Sequence, residues 1–127
     1  MTAINIQSDA KKYSNEELDY ILEEAYTYAQ HAAHNLASKF IEKYGQADVG
    51  ACGFSWVNVY DLRGNTKVAK YLYSKGMGDS WTKGVKQFWN PSSYPVQNVD
   101  IKEAGAEAFA SVLRKYNFNA YAGSRLD

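Results

Sequence analysis

The sequence carries one cysteine, Cys52, so no intrachain disulfide can form and the fold has to be held by packing. Only two prolines occur, Pro91 and Pro95, both in one short segment, and no proline-rich linker divides the chain. With His31, His34 and a lone thiol, the chain is poor in soft metal ligands, and neither a metal nor another cofactor is expected. Basic and acidic residues balance at 14 each, so no net field draws the protein toward nucleic acid or a membrane surface. No apolar run approaches the roughly 20 residues that span a bilayer. No leader pattern is visible, since Met1 is followed by polar Thr2, Asn5, Gln7, Ser8 and Asp9. The expectation is a soluble, cytoplasmic protein without a membrane partner. Catalytic fingerprints are missing as well. Gly76, Gly78 and Gly84 are spaced too loosely for a dinucleotide or phosphate loop, and no nucleophile elbow, zincin or EF-hand pattern occurs. These absences favour binding over catalysis.

What is present is one domain's worth of chain, 127 residues, with an aromatic content of 15% that includes eleven tyrosines and three tryptophans. Tyr and Trp pair a large apolar area with a polar handle, which suits both core rims and binding surfaces. The neutral charge sum hides an asymmetry. Glu16, Glu17, Asp19, Glu23 and Glu24 crowd one stretch, while Arg63, Lys67, Lys70, Lys75, Lys83 and Lys86 face only Asp79 in another.

Residues 1–12 read as a flexible arm or short edge segment. Ser14-Asn15-Glu16-Glu17 is a capping box. Leu18, Leu22, Ala25, Ala29, Ala32, Leu36 and Phe40 follow at helical period, and Gly45 offers a left-handed stop. This predicts a long helix over residues 14–45, about 45 Å at 1.5 Å per residue. Its alanine-rich middle either packs along the sheet or pairs with a second copy, so a homo-oligomer, a dimer, through this helix is expected. Val49–Tyr60 alternates as a strand, with Ala51, Gly53, Ser55, Val57 and Val59 on a small face. Cys52, Phe54, Trp56, Asn58 and Tyr60 make the other face, which is mostly aromatic. Asn65 or Thr66 caps a second helix that ends at Gly76, and Gly84–Trp89 reads as a second strand. Asp100-Ile101-Lys102-Glu103 is a second capping box opening a third helix, in which Gly105 marks a close approach. Phe118 then starts a third strand. The expected fold is α+β, or a small α/β fold, with a three-stranded sheet packed by helices in the order α-β-α-β-α-β. Its core spans residues 49–127 of a single domain covering residues 1–127. Short connections allow a parallel sheet, with an antiparallel edge strand left open.

For chemistry, Cys52 has no base near it in sequence, and His31 and His34 share a helix face without further ligands. The stronger constellation is Arg63 to Trp89, where Lys67, Lys70 and Lys86 interleave with Trp81 and Trp89. Cationic donors suit phosphates, and flat rings suit bases. Asn90, Ser92 and Gln97 form a polar loop leading to the third helix, and Arg125 could clamp an anion or pair with Asp127. The candidate ligand-binding residues are therefore Lys67, Lys70, Trp81, Lys86, Trp89, Asn90, Ser92, Gln97 and Arg125, with no catalytic residue assigned.

Lys102–Phe109 and Ala120–Asp127, with Cys52–Val57 and Trp89–Ser92, resemble an uncharacterised class of small bacteriophage proteins over roughly residues 50 to 127. The resemblance implies an infected host cell's cytoplasm and makes a role linked to a host protein or to nucleic acid the natural expectation. It transfers no activity. The functional expectation is a phage-type accessory protein that binds a nucleotide or nucleic acid through a basic and aromatic surface. The alternatives are a factor that occupies a host protein, or a small enzyme of unknown reaction using Cys52 or Arg125.

Overall fold

The first helix starts where its capping box puts it. Ser14 Oγ accepts from the Glu17 N–H at 3.1 Å, and Glu17 Oε1 accepts from the Ser14 N–H at 2.9 Å. The computed structural model describes residues 4–127. Among these residues the helices are α1 (Asn15–Tyr44), α2 (Lys67–Ser74) and α3 (Val99–Lys115), and the strands are β1 (Gly53–Tyr60), β2 (Gly78–Asp79), β3 (Lys86–Trp89) and β4 (Asn119–Leu126). Gly45 closes α1 with φ 80°, the left-handed cap that glycine adopts without steric cost. Residues 1–3 of the expected arm lie outside the described residues. Residues 4–12 are fastened to the fold: the Gln7 N–H donates to the Tyr13 hydroxyl, Asn117 Nδ2 donates to the Gln7 carbonyl, and Ile4 and Ala10 pack on the core.

The fold is α+β, and its sheet has one strand more than expected. Four strands lie in the order β2-β3-β1-β4, and every pairing is antiparallel. The reason is the two-residue strand β2, too short to stand out in a hydrophobic pattern. The chain reverses after it through the turn in which the Ser80 N–H donates to the Val85 carbonyl. Helix α2 therefore joins β1 to β2, which run the same way, and α3 joins β3 to β4, which also run the same way. In each case an antiparallel strand lies between the two.

An antiparallel sheet can leave one face to water. Here β1 alternates strictly, with Gly53, Ser55, Val57 and Val59 buried and Phe54, Trp56, Asn58 and Tyr60 half-buried. The helices cover the small face. A Cβ on Gly53 would come within 2.8 Å of Val99 in α3, so only the bare backbone lets α3 sit this close. Phe109 of α3 forms the centre of the core, its ring 4.9 Å from both Tyr26 of α1 and Phe88 of β3. Burying one side chain of that size contributes about 1.5–3 kcal/mol.

The alanine face of α1 is covered within the same chain. Ala25, Ala29, Ala33 and Ala37 are fully buried, and α1 packs along α3. A Cβ on Gly105 would lie 3.2 Å from the Ala29 carbonyl oxygen, which is how close the two helices come. The expectation of a dimer through this helix loses the exposed alanine face on which it rested. The cap of α3 also differs from the expected one. Asn98, only 1% exposed, accepts from the Asp100 and Ile101 N–H groups at 2.8 and 3.3 Å and donates from Nδ2 to the Val49 carbonyl at 2.5 Å. An amide satisfies acceptor and donor roles at a buried site where the charge of Asp100 would be desolvated. The end of the chain forms the predicted strand, paired with β1 from Asn119 to Leu126.

Candidate functional site on the open sheet face

The sheet face opposite the helices carries the aromatic half of β1 and what its neighbours place beside it. On β3, Trp89 pairs with Trp56 and Gln87 with Asn58. On β4, Arg125 pairs with Phe54, Gly123 with Trp56, and Tyr121 with Asn58. Directly opposed residues in an antiparallel pair share a face, so these side chains form one surface. The Trp56 and Trp89 rings are parallel to within 3°, with centroids 5.8 Å apart, and Phe54 lies 5.7 Å from Trp89 on the diagonal. Trp56 spreads over Gly123, where a Cβ would come within 2.7 Å of its Nε1.

Phe54 lies within cation–π range of two positive groups. The Arg125 guanidinium is 5.3 Å from its centroid, and Lys102 Nζ, which donates to the Gly53 carbonyl at 3.0 Å, is 5.5 Å away. Arg125 forms no ion pair with Asp127 among the described residues. The tip of the β2–β3 hairpin adds Trp81, which is fully exposed. Trp56, Asn58, Trp81, Gln87, Trp89 and Arg125 line a recess of about 240 Å³ together with Ser80 and Thr82. That is below the roughly 300 Å³ at which pockets begin to engulf a small ligand, so the surface suits flat groups laid upon it.

Trp81, Trp89 and Arg125 are thus brought together. The other candidates are not. Lys86 points to the helix side of β3, where it is 3.5 Å from Asp79 and beside Tyr73. The hydrogen bond with the Tyr73 hydroxyl raises the Lys86 ammonium above its ordinary value, and the same hydroxyl, donating to Asp79 at 2.5 Å, lowers that carboxyl. Lys67 and Lys70 are exposed on α2 and do not line the recess. Ser92 is buried under α3, its Cβ filling the space a side chain at position 105 would need. Gln97 is exposed and fixes a loop through its N–H, which donates to Asp48. Asn90 follows β3 with φ 42°, and its Oδ1 is buried without a hydrogen-bond partner among the described residues.

Sequence reasoning missed Phe54, Trp56, Asn58, Gln87 and Tyr121. Their alternation was visible in β1, but it reads as a site only once the sheet is known to be covered on one side. His31 and His34 are exposed on α1, Cys52 is exposed just before β1, and no group of three His, Cys, Asp or Glu among the described residues is arranged to hold a metal. No described helix is long and apolar enough to cross a membrane. Comparison with known proteins gives no matching family model, curated relative or solved structure.

Proposed function

We propose that this protein is a non-catalytic binding protein for single-stranded nucleic acid, which it takes on the open face of its sheet. The observation that carries this reading is the parallel pair of Trp56 and Trp89, extended by the exposed Trp81 and flanked by Arg125. Every base has a flat π-face, and a row of indoles accepts successive bases with little regard to sequence. Asn58 and Gln87 offer donors and acceptors to base edges on the same surface. Arg125 supplies a cation for a phosphate. The phage-type setting belongs to the same proposal: it would place the bound strand in an infected bacterium, and it adds no residue to the site.

The test is quenching of tryptophan fluorescence by short oligothymidylates at low salt. Stacking contributes about 1–3 kcal/mol per base, so replacing both Trp56 and Trp89 by Ala should weaken binding by about 30-fold or more. Absence of quenching, or a double variant that binds like the parent, rejects the reading.

A further inference from the structure

We infer that a second cleft, on the other side of the β2–β3 hairpin, is a phosphate-binding site built from Lys11, Arg63 and Lys83. The cleft has a volume of about 810 Å³ and receives these side chains from three separate segments: the 3-10 turn before α1, the β1–α2 loop and the hairpin tip. Its carboxylates are already engaged. Asp79 accepts from the Tyr73 hydroxyl and faces Lys86, and Asp61 accepts from Asn119 Nδ2 at 2.6 Å. Lys11, Arg63 and Lys83 form no ion pair among the described residues. With Lys86, four cations line the cleft against the two carboxylates of Asp61 and Asp79, and this excess of positive charge attracts a ligand of multiple negative charge. The fork of Arg63 matches two oxygens of a phosphate, and the lysines act as point charges beside it.

The cleft adjoins the aromatic surface. Ser80 and Thr82 line both, whereas Trp81 lines only the aromatic recess and Lys83 only the cleft. A strand with a base on Trp81 would bring its backbone within reach of Lys83. This part of the inference rests on the function proposed above; the phosphate site itself does not.

Two ligands separate the claims. Tripolyphosphate, titrated by calorimetry at low salt, should bind the parent and the W56A/W89A variant alike and lose at least tenfold in affinity with K11A/R63A/K83A, whose exposed positions leave the thermal midpoint unchanged. No binding, or equal binding by the triple variant, overturns the phosphate site whatever oligonucleotides do. Oligothymidylate binding is then measured against salt. Losing three phosphate contacts should flatten the log–log salt slope by about 2 in the triple variant, since each contact on a single strand contributes about 0.7. An unchanged slope alongside cleft-dependent tripolyphosphate binding means that the cleft serves free anions and that the strand does not enter it. Tripolyphosphate binding with no oligonucleotide binding rejects the aromatic-platform reading and leaves the cleft standing.

Discussion

The indole of Trp56 rests on the backbone of Gly123, its cross-strand partner, at a distance that leaves no room for a methyl group. The missing side chain on β4 is therefore what allows the ring on β1 to lie flat and stack parallel to Trp89.

Gly123→Ala should tilt that ring. The added Cβ would sit 2.7 Å from Trp56 Nε1, and because the indole is half-buried it can swing outward. The expected stability loss is about 1 kcal/mol, the low end for overpacking. Near-ultraviolet circular dichroism should lose the signal of the Trp56–Trp89 pair, and oligonucleotide affinity should fall with it. An unchanged spectrum would show that the stacked geometry does not depend on Gly123.

Gly105→Ala sets two effects against each other. Helix propensity favours Ala by about 1 kcal/mol. The new Cβ, however, would lie 2.5 Å from Ser92 Cβ and 3.2 Å from the Ala29 carbonyl oxygen. The clash should win, with a net loss of about 1–2 kcal/mol in urea denaturation. Ser92→Gly in the same chain should restore part of it, because it removes the nearer atom. A stabilised single variant would mean that α1 and α3 separate more readily than their packing indicates.

Stability should fall in alkali. Burial, reinforced by the hydrogen bond to Glu24 at 2.7 Å, holds the Tyr116 phenol above its ordinary value of 10.0, and burial raises Tyr13 and Tyr26 as well. The folded state thus keeps phenolic protons that the unfolded chain gives up. Their contribution is complete below pH 10.0 and is lost as pH rises beyond it. Urea midpoints should hold steady from neutrality to about pH 9 and drop above pH 10, with a shallower drop in Tyr116→Phe. A parallel drop in that variant would assign the alkaline loss to other groups.

Deleting residues 120–127 should abolish cooperative unfolding. The segment supplies nearly all of β4, including fully buried Ala120, whose carbonyl accepts from Arg114 at 2.7 Å. Its loss also frees one side of β1, the strand that joins the two halves of the sheet. A truncated chain with an unchanged melting transition would make β4 dispensable to the fold.

Local signals in the sequence led to most of the elements. The Ser14–Glu17 box and Gly45 bracket α1, and the alternation of β1 separates its buried from its exposed side residue by residue. Topology was less legible, because the direction of β3 depends on Gly78 and Asp79, two residues with no hydrophobic periodicity. The site shared that fate. Trp81 and Trp89 stood out as tryptophans near lysines, but Lys67 and Lys70 lie on α2, away from the open face, and Lys86 lies on the other face of β3, where one residue's shift along a strand reverses a side chain. Trp56 was visible as an aromatic position, and its pairing with Gly123 joins residues far apart in sequence, which no local pattern encodes.

The hairpin tip between β2 and β3 also works as a spacer of fixed count. Trp81 and Lys83 point into different depressions and are separated only by Thr82, which borders both. Inserting one residue here would do more than lengthen a loop: it would break the spacing that sets Trp81 in the recess and Lys83 in the cleft. The length of this turn is therefore constrained from both sides at once, although most of its residues are exposed and take no part in the core.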